Sequence, residues 1–358
     1  MAVVKANGYG HGAVMVARTA VEAGATWLAV ATVDEGAMLR QAGITVPILV
    51  LGPIDPLEAR AAVAARLTIA IGGPDLLDPL RQAAEACQHG PLSVHVKIDT
   101  GMRRYGVLPS EALALAQAIL DTPALRLTGV FTHFARADEV DETPTRLQAE
   151  RFDQTIAELC RAGIAAGLVH AANSAAALRS RAYDYDLVRA GIAMYGIPPS
   201  SDVPLLPGMR QVMTLRSRIR RVVRLLPGEG VSYGATYRAR ESECVGLVPI
   251  GYGDGYHRLL SNRAWMGIGG RRAPVVGRIC MDQTLVRLPE GREIRPGDEV
   301  VVFGAGENGE PTLPELAGLA ETIPYELATA VSARVPRLYV RGGQVIAVET
   351  LSGLHEIT

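Results

Sequence analysis

The stretch from Val94 to Thr132, VHVKIDTGMRRYGVLPSEALALAQAILDTPALRLTGVFT, holds the pattern that decides the fold. Val94–Asp99 is a short apolar run, Ser110–Leu120 places its apolar residues at helical spacing, and Thr128–Thr132 is apolar again. The same alternation of strand and helix extends outward on both sides. Strands are expected at Ala2–Lys5, Trp27–Thr32, Pro47–Leu51 and Leu67–Ile71 before this unit, and at Leu168–Ala172 and Leu187–Ala190 after it. Helical patterns lie between them, among them Ala13–Ala23, Leu77–Ala86, Gln148–Ala162 and Ser174–Arg179. Eight strands alternating with helices predict an α/β fold, a (β/α)8 TIM barrel over residues 1–208.

From about Met209 the texture changes to Val- and Arg-rich alternating runs, broken by the turn sequences PGE, PEGRE and RPGDE. That pattern predicts a C-terminal mostly-β domain over residues 209–358. One helix, roughly 313–333, interrupts it before a last strand near 337–347.

With 358 residues and 48% hydrophobic content, the chain is long enough for two domains. The formal net charge is −1, so bulk electrostatics gives no reason to expect a nucleic acid or a membrane surface as partner, and a small molecule is the expected ligand. Four cysteines without CxxC spacing fit a reduced interior and predict neither disulfides nor a metal site. The start, MAVVKANGYG, has no basic segment followed by an apolar one, and no apolar run approaches the roughly 20 residues of a membrane span, so a cytoplasmic location is expected.

Of 36 basic residues only Lys5 and Lys97 are lysines. Arginine serves surface charge as well as lysine but does not form Schiff bases or lose its proton readily. A lysine retained in such a chain therefore points to chemistry. In a barrel that chemistry collects at the C-terminal ends of the strands. There the sequence places Lys5-Ala6-Asn7-Gly8-Tyr9, Lys97 followed by Arg104, His133, Asn173-Ser174, and Arg189-Ala190-Gly191-Ile192. The last two loops are where barrels commonly bind phosphate, and a phosphate beside a reactive lysine suggests pyridoxal 5'-phosphate.

Nine short motifs, AVVKANGYGHG, KIDTGMRRYG, THF, HAANS, RAGIAMYG, VSYGATY, GYGDGY, CMDQ and PYE, resemble those of alanine racemases in order and spacing, across nearly the whole chain. The resemblance implies a pyridoxal phosphate-binding barrel followed by a β domain, acting as a homodimer with shared active sites and interconverting L- and D-alanine for cell-wall peptidoglycan. Lys5 would hold the cofactor and act as one acid/base group. Tyr233 would be the other, entering the partner subunit's site; a phenol needs cationic or hydrogen-bonding neighbours to act as a base at neutral pH, and His133 and Arg189 would provide them.

By the same resemblance Tyr9, Asn173, Ser174, Gly191, Ile192 and Tyr325 would bind the cofactor, the phosphate above all. Arg189 would face the pyridine nitrogen as a permanent donor and weaken the electron sink, which suits racemisation. Arg104 and Met281 would meet the substrate carboxylate, supported by Asp282, with Tyr252 gating the channel. Lys97 would be carbamylated to orient Arg104; the alternative is a plain Lys97–carboxylate pair. His11, His170 and His257 receive no role and no metal is expected. A serine or broad-specificity racemase, or a non-catalytic pyridoxal phosphate-binding protein, would share most of these features. Members of the family carry about one further strand and helix before the lysine motif, so this chain is expected to begin short of them.

Overall fold

The computed structural model describes residues 1–357 except 88 and 292, and they fall into two compact units. The first comprises residues 1–8, 13–194 and 198–208, and the second residues 9–12, 195–197 and 209–358.

The first unit is built on seven parallel strands paired strictly in chain order: β1 Ala2–Val3, β2 Leu28–Val30, β3 Ile48–Val50, β4 Thr68–Ile71, β5 Leu92–Lys97, β6 Leu125–Phe131 and β7 Leu168–His170. The expected eighth strand, Leu187–Ala190, forms no ladder of its own. It makes one isolated parallel bridge, Ala2 to Ala190, with Val3 N donating to Ala190 O at 2.8 Å and Ala190 N to Met1 O at 3.0 Å. On its other side Arg189 N donates to Ala172 O at 3.0 Å, just past β7. The segment thus joins both edges of the sheet, but its contacts are too few to count as a strand.

Helices Ala13–Glu22, Leu77–Cys87, Pro109–Leu120 and Ser174–Arg179 stand where helical spacing put them, and Thr143–Arg161 begins at Thr143 rather than at the expected Gln148. Two more, Val33–Gln41 and Ala59–Ala64, complete the alternation between β2 and β4. Side chains of a strand alternate between two faces. Here one face, with Val30, Val50, Ile71, Val94, Val96 and Val130, joins the helices in a continuous apolar core. The opposite face buries His95, Lys97, Phe131 and His170, a polar set for the inside of a sheet. Space for it is made by Gly129, where a Cβ would lie 2.6 Å from the His95 ring.

Just after β1 the backbone turns left-handed for four residues, Ala6 (φ 51°), Asn7 (φ 54°), Gly8 (φ 61°) and Tyr9 (φ 52°). For an L residue this costs roughly 1–2 kcal/mol each, so the three non-glycine positions need compensating bonds. Gly8 N donates to Val4 O at 2.8 Å, Ala13 N to Asn7 Oδ1 at 2.9 Å, and Ala6 N to Glu35 Oε1 at 2.6 Å.

The second unit consists of antiparallel sheets. Glu243–Val248 lies between Arg221–Leu225 and Thr284–Arg287, and a four-stranded sheet runs in the order 271–274, 265–268, 299–303, 215–218. The single helix expected near 313–333 is two, Leu313–Leu319 and Pro324–Ala330, because Glu321 is left-handed (φ 56°) and Pro324 lacks the amide that would continue the first. The expected last strand is likewise a meander of three, Arg337–Arg341, Gln344–Thr350 and Gly353–Glu356, turned at Gly342-Gly343 with φ 58° and 82°. Among the described residues no helix is long and apolar enough to cross a membrane.

Candidate active site

In the first unit the chemical side chains gather where the strands end, on the polar inner face. Arg189 is 3% exposed, yet no carboxylate pairs with it among the described residues. Its Nη1 donates to His170 Nδ1 at 2.7 Å, and its Nη2 to Thr132 O at 2.8 Å, Ala171 O at 2.6 Å and His133 Nδ1 at 3.3 Å. These bonds leave Nε–H and one Nη1–H of its five donors without a protein acceptor among the described residues. The bland expectation for such an arginine, an ion pair at the rim, is not what forms. Burial pushes the guanidinium down to about 9, which still leaves it charged at neutral pH.

Arginine donates only, so both imidazoles must accept at Nδ1 and carry their protons at Nε2. His170 Nε2 then donates to His95 Nδ1 at 3.0 Å, which gives His95 the same tautomer. Burial and the Arg189 charge hold His133 and His170 well below the ordinary histidine value, and His95 near 3. Phe131 is the apolar counterpart of this polar set. Its ring stacks on His170 at 4.7 Å, while Arg189 Cζ and Lys97 Nζ each lie 5.4 Å from its centroid. A ring face of that kind attracts buried cations that have no anion beside them.

Lys97 is 6% exposed and forms no ion pair among the described residues; its Nζ donates to Ile98 O at 3.3 Å. Burial, Arg189 and Arg104 bring the amine down to about 7, against an opposing pull from Asp99. Asp99 itself accepts from the amides of Gly101 and Arg103 and so shapes the loop that carries Arg104. Lys5, half-buried at the end of β1, is lowered by burial first and Arg104 second, with Glu35 acting the other way.

Asn173 caps the helix Ser174–Arg179, its Oδ1 accepting from Ala176 N at 3.0 Å. Ser174 Oγ accepts from Gly191 N at 2.9 Å and Ala193 N at 3.3 Å, drawing the loop that contains Ile192 onto the hydroxyl. Lys5, Lys97, Arg104, His133, Asn173, Ser174, Arg189, Gly191 and Ile192 therefore all belong to the strand ends and following loops of one unit.

The other expected site residues belong to the second unit. Tyr9 is buried with its ring centroid 5.0 Å from Tyr195 and 6.2 Å from Tyr325, and burial raises its phenol to about 12. Tyr233 is 71% exposed on a short turn flanked by left-handed Ser232 and Ala235. Met281 and Tyr252 are exposed as well, at 53% and 44%. Their two turns are docked by backbone bonds, Tyr252 N to Cys280 O and Gly253 N to Met281 O, and a Cβ on Gly251 would strike Cys280 O at 2.1 Å. Arg334 fastens the pair, with Nε on Asp254 and Nη2 on Asp282, both at 2.7 Å.

Arg334, His170 and Glu35 are the contributors that motif reading passed over. Arg334 lies in an unremarked ARVPR stretch, and Glu35 touches the Lys5 segment across 29 residues. His170 alone had a signal, since it opens HAANS at the end of a strand.

Three buried neutral histidines make a prediction about acid. A histidine whose native value is depressed leaves the native state unprotonated while the unfolded chain takes up a proton near pH 6.5, so stability is full above that pH and is lost as pH falls below it. Urea unfolding between pH 8 and 5 is expected to show a loss approaching about 1.4 kcal/mol per pH unit for each of His95, His133 and His170. A stability profile flat to pH 5 would mean that these rings take up protons in the folded protein as readily as in the unfolded chain.

The family comparisons agree over both units. The model of the alanine racemase N-terminal domain matches residues 1–199, and that of the alanine racemase C-terminal domain residues 212–339. The alanine racemase of Symbiobacterium thermophilum is 46% identical over 344 residues, 96% of this chain and 90% of that protein. Alanine racemase 2 of Bacillus subtilis is 42% identical over 356 residues, 98% and 90% of the two chains. Among solved structures, alanine racemase of Clostridium difficile 630 aligns with TM-score 0.91 at 38% identity, covering 98% of this chain and 90% of that one. That of Bacillus anthracis with bound L-Ala-P aligns with TM-score 0.92 at 37% identity and the same coverage. With both units matched and relatives this similar along nearly its whole length, the chain is an isomerase and belongs to the alanine racemase family.

Proposed function

We propose that this protein interconverts L-alanine and D-alanine with pyridoxal 5'-phosphate as cofactor, removing the α-proton from one face of the substrate and returning one to the other. The observation that carries this reading is a buried Arg189 with, among the described residues, spare donors and no carboxylate, in the same unit as a lysine amine held below its ordinary value. When bound, the cofactor supplies the electron sink that makes the α-proton removable.

The groups present suit it. The uncommitted Nε–H and Nη1–H of Arg189 are donors for a pyridine nitrogen, and a guanidinium does not hand over its proton, so the sink stays weak. Ser174 Oγ, held by the Gly191 and Ala193 amides that donate to it, keeps its own hydroxyl proton as a neutral donor of the kind phosphate uses, with Ile192 in the same loop. We assign the Tyr9 and Tyr325 hydroxyls to the same phosphate, and Asn173 to holding the helix that presents Ser174.

Lys5 is assigned covalent attachment of the cofactor and proton transfer on one face; its lowered pKa enlarges the neutral fraction that both tasks require. Tyr233 of the partner subunit is assigned the other face. His133, neutral and protonated at Nε2, offers that phenol a donor backed by Arg189. Arg104, which has no hydrogen bond or ion pair of its own among the described residues, is assigned the substrate carboxylate together with Met281. Asp282 and Arg334 hold the Met281 turn, and Tyr252 lines the approach. A Lys97 amine near 7 is about half unprotonated at neutral pH and so open to CO2, and Arg189 and Arg104 would stabilise the resulting carbamate, which in turn orients Arg104. The lack of a carboxylate partner supports this over a plain ion pair. Active sites shared across a homodimer, and D-alanine supply to peptidoglycan, complete the proposal.

The test is turnover of L- and D-alanine beside both serine enantiomers, with pyridoxal phosphate added. Alanine is expected to racemise in both directions at least about tenfold faster than serine, a margin worth roughly 1.4 kcal/mol of transition-state binding. Comparable rates on serine would replace alanine specificity with a broad racemase. Cofactor binding without turnover would leave only a pyridoxal phosphate-binding protein.

A further inference from the structure

We propose that Glu35 is the positioning residue for the Lys5 amine, fastening the left-handed turn that follows it and setting a negative charge against it. This rests on the assignment of Lys5 above but is tested without it. Glu35 is a helix-capping residue by its surroundings: Oε2 accepts from the amides of Ala31 (2.7 Å) and Thr32 (3.3 Å), while Thr32 Oγ1 accepts from Glu35 N at 3.3 Å. A capping box needs only one of the two carboxylate oxygens. The second, Oε1, reaches out of the box to Ala6 N at 2.6 Å, the amide immediately after Lys5.

The turn's other bonds are local, Gly8 N to Val4 O, Ala13 N to Asn7 Oδ1 and His11 Nδ1 with Tyr9 O. Among the described residues, the Glu35 bond alone ties the turn to a different strand end, that of β2. It therefore fixes where Lys5 stands relative to the loop after β2, in a backbone conformation that alanine and asparagine adopt only under constraint. The charged groups that act on the Lys5 amine are Glu35 from the helix Val33–Gln41 and Arg104 from the loop after β5, and the titratable group that feels it is the neutral His133 past β6. Arg104 adds to burial in driving the amine toward its neutral form, and Glu35 opposes both. Glu35 thus keeps the amine able to hold a proton as well as give one up, as a group that works alternately as acid and base requires.

Glu35→Gln removes the charge and, with one amide oxygen in place of two, keeps at most one of the two bonded sets, whereas Glu35→Asp keeps the charge with a shorter reach, so the pair of variants separates the two jobs. Having only two lysines makes the measurement clean. The full chain, freed of cofactor and held in CO2-free buffer so that both lysines carry free amines, is treated with a limiting amine acylating reagent at neutral pH, and the Lys5 and Lys97 peptides are quantified by mass spectrometry, with the melting temperature followed in parallel. In Glu35→Gln the Lys5 to Lys97 labelling ratio is expected to rise about threefold, because losing the carboxylate lowers the Lys5 pKa. In Glu35→Asp, which keeps the charge, the ratio is expected to return toward wild type. An unchanged ratio in Glu35→Gln with a lowered melting temperature would reduce Glu35 to a helix cap and overturn the proposal. So would an aspartate variant that labels like the glutamine one. Labelling does not depend on turnover, so a Lys5 that proves dispensable for racemisation would sink the functional assignment and leave this result readable.

Discussion

Lys5→Ala is expected to lower racemisation from both alanine enantiomers by at least about 10,000-fold, the upper range for losing one positioned acid/base group, with loss of covalent attachment adding to it. Both directions should fall together, because the same amine is assigned attachment in either. The visible absorbance that pyridoxal phosphate acquires on covalent binding should vanish with it. Lys5→Arg keeps the charge and much of the packing but neither the nucleophile nor a proton that leaves, so it is expected to be as inactive as alanine. Steady-state rates in each direction, beside absorbance spectra, check this. Either variant working within tenfold of wild type would remove Lys5 from the chemistry.

Tyr233 supplies the sharper test, because its assigned site is not the one holding its own chain's Lys5. A phenol left 71% exposed does little for the packing of its own unit, and Met281 is exposed at 53%. Tyr233→Phe alone is expected to cost about 100- to 10,000-fold. Coexpressed in equal amounts with Lys5→Ala, it should recover activity that neither variant has. Half of randomly paired dimers are mixed, and a mixed dimer has one site with both groups intact and one with neither, so about a quarter of wild-type activity is expected. Purification through two different tags, one per variant, should raise this to about half. A mixed preparation as inactive as its components would place both groups in one subunit's site.

The fold was legible because its short strands alternate with helical patterns along the first two hundred or so residues, the signature of a parallel sheet. What escaped did so for local reasons. The run at Leu187–Ala190 looks like a strand, yet its partners meet it at a single bridge. Val33–Gln41 carries a glycine and little apolar periodicity, so capping at Thr32 and Glu35 defines that helix more than pattern does. The helix expected over 313–333 ignored what Pro324 does to an amide ladder, and the single last strand ignored Gly342-Gly343, a hairpin signal visible in the letters. The site divides in the same way. Lys5, Lys97 and Arg189 stood out by residue type at strand ends. Glu35 and His170 act through hydrogen bonds spanning 29 and 19 residues, and nothing in their immediate neighbours announces those bonds.

The bare backbone at Gly129 carries an implication for descent. A methyl group there would collide with the His95 ring at 2.6 Å, and His95 is the far end of the imidazole pair that begins at Arg189. Position 129 is not free to drift alone. A lineage that acquires a side chain at 129 must already have exchanged the imidazole at 95 for something smaller, so the two are expected to vary as a linked pair when divergent homologues are aligned.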